Sequence, residues 1–331
     1  MHAAAMNLRG GVSPRNTRLR GQSIIEYVLI IAIIGLVIVF AGPGVAGAIR
    51  NQFNLVGNTV NSGISAGTEG GGASGGGSTG ADSATVQAAV AKDAKDWTLD
   101  EQKAVAEDIA AKGEASPAYA KAEAAMDAGT KFSVKLTNGK TLEYKIIGIN
   151  HDDLADGSGK AGLTFLTTST NISSRMNATD TNVGGWEKSE LRAKMNSGDI
   201  WNLMPADFQS KVKSVKKLTN NVGGGWGNWN AAVTATSDNL FLLSYSEIVP
   251  TSHWASDKPW SSSEGTQYEA FKGKVTENYS SNDCLKIDNY WWERSANPSN
   301  SDSFLIVDSN GAASYGYYAT NSCCVCPAFS F

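Results

Sequence analysis

The chain has 331 residues, a net charge of −4, 41% hydrophobic residues and 18% charged ones. That length suits one or two domains, and the apolar content suffices for a core. The acidic balance argues against nucleic acid as a partner, since phosphate binding needs a basic face, and against docking on anionic lipid.

The N-terminal segment is the exception to that balance. Arg9, Arg15, Arg18 and Arg20 precede Gly21 without a single acid. Gln22-Ser23-Ile24-Ile25-Glu26-Tyr27 follows, then an almost uncharged run from Val28 to Ile49. About 20 apolar residues suffice to cross a bilayer as a helix. The basic flank should stay cytoplasmic and everything after Arg50 should lie outside. Glu26 is costly in such a helix, about 2.5–3.5 kcal/mol on insertion scales, so it needs a partner. Gly42-Pro43-Gly44 should interrupt the helix.

The motif GQSIIEY, Gly21 to Tyr27, resembles the start of Flp-type (tight-adherence) pilins, a branch of the type IV pilins. The resemblance covers roughly residues 15–60. It implies a leader of residues 1–21, cut after Gly21 by a prepilin peptidase, and a mature chain starting at Gln22. Glu26 would then stand fifth, followed by Tyr27, and would meet the N-terminal amine of a neighbouring pilin subunit. Loss of the leader would bring the net charge near −8. Two other readings stay open: a secretory signal cut near Val45-Ala46-Gly47-Ala48, and a plain signal anchor.

The pilin or transmembrane helix is expected over 22–62. Residues 63–82, Gly/Ser-rich, read as a flexible tether with a reach of roughly 25 Å. Residues 83–129 are rich in Ala, Lys, Glu and Asp and read as two or three helices forming a solvated spacer. Thr98 should cap one, and Ser116-Pro117 should start another.

An outer domain is expected over 130–331. KFSVKLTNGKTLEYKIIGIN alternates apolar and polar residues around Asn138-Gly139, which predicts a β-hairpin. An Asp/Gly loop (His151 to Lys160), a strand from Leu163 to Thr167 and two amphipathic helices follow. The first helix holds Trp186, Leu191 and Met195. The second starts at Pro205 and carries Phe208, Val212 and Val215. Leu240 to Leu243 reads as a buried strand, with Ser244 capping a turn over Tyr245 to Ile248. Trp291-Trp292, Phe304 to Val307 and Val325 to Phe331 read as closing strands. The fold class expected is α+β.

Several motifs here occur in the order of one bacterial family. They are Trp186 to Arg192, Leu203-Met204-Pro205, Asp238 to Ser244, WWERSAN (Trp291 to Asn297), Val307 to Gly311 and the final CPAFSF. The region resembles the family called domain of unknown function 6273. That family usually ends in Gly-Val-Arg-Pro-Ala-Phe; Cys324 and Cys326 stand here where Gly and Arg are usual. More distantly the layout is similar to C-type-lectin-like folds, including the formylglycine-generating enzymes.

No catalytic residue is assigned, because neither His151 nor His253 sits in a recognised motif. No cofactor or metal is expected. The Asp/Gly run His151 to Gly157 lacks EF-hand spacing and reads as a solvated turn. Trp226 and Trp229 in a Gly-rich loop, with Trp254 and Trp260 in a second, are candidate contacts for a glycan or another surface ligand. Trp186, Trp291 and Trp292 are assigned to the core. Cys284 is expected to bridge one of Cys323, Cys324 and Cys326, closing a loop of about 40 residues.

Together these features predict a pilin-like cell-surface protein, a minor subunit of a Flp pilus carrying an adhesive domain. It would sit in the membrane before assembly and outside the cell after it. The alternatives are a membrane-anchored binding protein outside any pilus and, third, an enzyme of the formylglycine-generating type.

Overall fold

The structure, a computed structural model, describes residues 83–221, 232–251, 264–313 and 315–331. The chain divides into two units, Met1–Gly72 and Ala73–Phe331, and every described residue belongs to the second. Gly21, Gln22, Glu26, Tyr27, the 22–62 helix and the 63–82 tether lie outside the described residues, as do Trp226, Trp229, Trp254 and Trp260. Among the described residues, no helix is long and apolar enough to cross a membrane.

Three helices come first: α1 (Ala84–Ala91), α2 (Leu99–Lys112) and α3 (Tyr119–Asp127). Thr98 starts α2 with a reciprocal capping box. Its Oγ1 accepts from Glu101 N at 3.3 Å, and Glu101 Oε2 accepts from Thr98 N at 2.7 Å. These helices are not a solvated spacer, and that expectation is corrected. Val105, Ala106 and Ile109 of α2 are fully buried against the domain that follows. Trp97 stacks on Phe132, and Gln102 Oε1 accepts from the hydroxyl of Tyr144 at 3.0 Å. The thin alanine face is what permits the approach. A Cβ on Gly162 would meet the carbonyl oxygen of Ala106 at 1.8 Å, so helix and strand touch backbone to backbone.

The hairpin joins β1 (Lys131–Lys135) to β2 (Thr141–Ile149), with Gly139 at φ +82 in the turn. β3 (Leu163–Thr167) and β11 (Ala328–Ser330) complete a four-stranded antiparallel sheet in the order β1-β2-β3-β11. Its inner face is aromatic: Tyr144, Phe165, Phe208, Phe329 and Phe331 contact one another at centroid distances from 4.7 to 6.4 Å. Each such pair adds about 0.5–1.5 kcal/mol beyond area burial.

A second sheet runs β4-β10-β7-β8-β9, built from Ser173–Ser174, Cys323–Cys324, Trp291–Ala296, Ser303–Val307 and Tyr315–Tyr318. β5 (Val215–Asn220) and β6 (Val233–Asp238) form a separate hairpin. Short helices connect the strands: α4 (Gly185–Lys188), α5 (Glu190–Asn196), α6 (Asp199–Leu203), α7 (Ala206–Gln209) and α8 (Tyr245–Ile248). The helix expected to run on from Pro205 to Val215 is a single turn. Lys213 N instead donates to Ser330 O, and Val215 opens β5. Leu240 to Leu243 is buried as expected but forms no strand: Phe241 bridges Ala328, and Leu243 O accepts from Arg294 N of β7. Trp186, Trp291 and Trp292 are core residues, at most 1% exposed.

All four cysteines carry free thiols, so the expected bridge from Cys284 is absent from this structure. Cys284 is half-buried, its carbonyl accepting from Lys145 Nζ at 2.7 Å. Cys323, Cys324 and Cys326 are buried in and just after β10. Burial pushes the Cys323 thiol up to about 12 and Cys326 higher still, which keeps both protonated and unreactive at neutral pH.

Candidate functional site

Four charged side chains meet where the two sheets approach the β5–β6 hairpin. Asp152 follows β2 at a turn where Asn150 takes φ +50. Lys217 sits at an inward position of β5 between Val215 and Thr219, which are also buried. Glu247 is the third residue of α8, where its Oε2 accepts from Ser244 N at 2.9 Å, as the expected cap requires. Arg294 lies in β7 where pairing with β8 breaks register between Trp292 and Ala296. That irregularity turns its side chain into the core rather than along the ladder.

Every polar atom of this group finds a partner. Lys217 Nζ donates to Asp152 Oδ1 at 2.6 Å and meets Glu247 Oε1 at 2.5 Å and the Tyr268 hydroxyl at 3.1 Å. It also lies 4.4 Å from the centre of the Phe241 ring. Asp152 Oδ2 accepts from Thr164 Oγ1 at 2.6 Å and from the Tyr268 hydroxyl at 2.8 Å. Arg294 grips Glu247 through both terminal nitrogens, at 2.5 and 3.0 Å. Its remaining hydrogens go to the carbonyls of Leu218, Leu242 and Glu264. Burying four charges costs several kcal/mol per ion unless pairing and hydrogen bonds are complete, and here they are.

The electrostatics follow from that pairing. Burial works to raise Asp152, but Lys217, His151 and the hydrogen bonds from Lys217 and Thr164 together outweigh it and hold its carboxyl below the usual range. Glu247 is likewise raised by burial but held low by Arg294 and Lys217. Burial and the neighbouring Asp152 push the Tyr268 phenol far up, so it stays neutral and donates. Glu264 has no cation of its own. Burial raises it to about 7, with Arg294 only partly offsetting. Its Oε1 accepts from Asn220 N at 3.0 Å, and its Oε2 bonds the Ser295 hydroxyl. Glu293 is fully buried with neither carboxyl oxygen hydrogen-bonded, and burial with Glu264 nearby pushes it well above the usual range.

A cleft of about 240 Å³ opens over this floor, walled by His151, Asp153, Lys160, Lys216, Glu264 and Thr266. His151 stacks on Tyr268 at 4.0 Å, and its Nδ1 lies 3.0 Å from Glu269. A carboxylate can only accept, so Nδ1 carries the proton. Burial tends to raise Glu269, yet its bond with His151 brings it down to about 2. The imidazole is thereby fixed in orientation with Nε2 left over.

Thus the Asp/Gly loop is more than a solvated turn. His151 and Asp152 point inward to named partners, while Asp153 pairs with Lys160 at the surface. Among the described residues, no three metal-ligating side chains cluster. Lys217, Glu247, Glu264 and Arg294 were not singled out from the sequence. The available signal was a charged residue within an inward strand pattern: Lys217 between Val215 and Thr219, and Glu293-Arg294 inside the apolar run after Trp291.

The described region is thus a mixed α+β domain closed by its last strand, with a charged cleft at one edge. The match over residues 161–331 is to the family described as domain of unknown function (DUF6273), and the chain belongs to it. No curated protein and no solved structure matches the chain.

Proposed function

We propose that the chain is a pilin-like cell-surface protein whose C-terminal domain binds a polar ligand of the glycan class in the His151–Lys216–Glu264 cleft. The observation that carries the binding half is the division of labour in that cleft. The floor charges satisfy one another, whereas His151 Nε2, the Lys216 ammonium and Thr266 remain at the wall to meet a ligand. Fixed polar groups over a rigid floor suit a polyol, whose hydroxyls both donate and accept. The sequence layout, which distantly resembles C-type-lectin-like folds, prompts the same reading. The pilin half rests on Gly21 to Tyr27 and on the apolar run that follows.

Both halves are tested on the full chain. Isothermal titration in detergent against neutral hexoses, N-acetylhexosamines and uronic acids should reveal at least one binder. Lys216→Ala and His151→Ala should each weaken it about tenfold, near 1.4 kcal/mol. Binding by none of these classes sinks the glycan reading. N-terminal mass spectrometry of protein from cells should find Gln22 first, and Gly21→Arg should retain the leader. A start near Ala48 would sink the pilin reading.

A further inference from the structure

Lys217, Asp152 and Glu247 are placed for a reaction. We propose that Lys217 and Asp152 condense to an intramolecular isopeptide bond, with Glu247 as the proton acceptor. The amine nitrogen lies 2.6 Å from the Asp152 carboxyl and 2.5 Å from Glu247, and all three side chains are 3% exposed. Phe241 and Tyr268 form the aromatic wall beside Nζ.

The ion pair is the resting form, and the reaction starts from its minor neutral form. Burial has already stripped both charges of hydration, so that form is reached by one proton transfer along a 2.6 Å hydrogen bond. One proton passes from Nζ to Asp152 Oδ1 along their hydrogen bond, leaving a free amine and a neutral acid. The Nζ lone pair then forms a bond to Asp152 Cγ. The carbonyl electron pair moves onto Oδ2, where Thr164 and Tyr268 already donate. Two donors on that oxygen form an oxyanion hole in position before the reaction. Glu247 takes a second proton from Nζ and returns it to the Oδ1 hydroxyl. That group leaves as water with its bonding pair, and the carbonyl reforms at Oδ2. The ammonium and carboxylate have become one amide and one water, with no oxidant, reductant or cofactor. Glu247 ends as it began, a carboxylate.

Two features beyond the triad favour this outcome. Arg294 holds Glu247 ionised, so a base stands ready although buried. Once Lys217 and Asp152 are neutralised as an amide, Glu247 and Arg294 remain as a matched pair, and no charge is stranded. Asp152, Lys217 and Glu247 also line the cleft, which gives the water a way out. Holding amine and carboxyl in contact supplies the entropy that a bimolecular amide synthesis lacks.

The test is mass spectrometry of the purified full chain. The intact mass should fall one water below that calculated from the N-terminus the protein is found to have. Trypsin should fail to cut after Lys217, and the peptides carrying Asp152 and Lys217 should appear joined. Glu247→Gln should restore the full mass and separate peptides, whereas Asp153→Ala should keep the cross-link. Wild-type protein of full mass, with both peptides separate, overturns the proposal whether or not any variant folds. A cross-link formed to the same extent in Glu247→Gln overturns the role of that residue.

Discussion

Glu264 ties stability to pH in a direction opposite to most carboxylates. The group moves from 4.5 when unfolded to about 7 in the folded domain, because burial outweighs the help of Arg294. The folded state therefore binds this proton more tightly, by about 3 kcal/mol at about 1.36 kcal/mol per pH unit. A raised carboxyl stabilises the fold fully below its unfolded value. That contribution is lost as pH climbs from 4.5 to about 7. Glu247 acts the other way: burial works to raise it but its cationic neighbours hold it low, so its contribution is lost as pH falls through its depressed folded value. Glu264→Gln keeps an acceptor for Asn220 N and a donor for Ser295 but has no proton to lose. Urea denaturation at several pH values between about 4.5 and 7.5 should show wild type losing about 3 kcal/mol relative to the variant. If the two curves stay parallel, Glu264 is not the titrating buried acid and the assignment is wrong.

Three further outcomes are expected. Arg294→Met removes the bidentate partner of Glu247 and leaves that buried carboxylate short of one of its two cationic neighbours, so urea midpoints should show a loss of about 3–5 kcal/mol, with Arg294→Lys between. Gly162→Ala drives a methyl into the carbonyl of Ala106. Hydrogen exchange should then report faster opening of residues 99–112 and a loss of about 1–3 kcal/mol, and unchanged protection would contradict the docking described for α2. Under the pilin reading, Glu26→Ala should insert in the membrane but fail to enter filaments, and normal incorporation counted by immunogold labelling would refute its role in assembly.

Local signals carried the fold further than they carried the site. Asn138-Gly139 between alternating runs placed the first hairpin, and Thr98 with Glu101 placed the start of α2, because both depend on residues a few positions apart. The β5–β6 hairpin went unread because its turn shows no short Asn-Gly or Asp-Gly signal. Phe208, Val212 and Val215 fit helical spacing, so the run after Pro205 reads as a longer helix than the single turn it forms. Backbone bonds to distant residues, Lys213 N to Ser330 O and Ala155 N to Ser214 O, draw the chain out of it. The alanine-rich helices looked too thinly apolar to pack, yet alanine is what lets α2 lie against Gly162. The cleft was least legible. Its charges come from residues 152, 217, 247, 264 and 294, and no spacing rule joins positions so far apart. A lysine or arginine in a strand is ordinarily read as outward-facing, and only the assembled sheets turn Lys217 and Arg294 inward.

That same dispersion governs how the domain must form. β11 pairs with β3 through Phe329 and Phe165, so the aromatic face of the first sheet closes only when the last residues dock. Ser330 Oγ lies 3.0 Å from Thr164 Oγ1, Thr164 donates to Asp152, and Asp152 holds Lys217. Lys217 in turn meets Glu247, which Arg294 grips. Contacts this distant in sequence make folding slow, since the loops must close before the pairs repay them. For a domain that the pilin reading places outside the membrane, slow closure is an advantage, because the chain can pass outward before the ion network sets. Once set, the chain of contacts from Ser330 to Arg294 has no member that can leave without stranding a buried charge or hydroxyl. The delay in closing and the resistance to local opening therefore share one cause, the binding of an internal charge network to the final strand.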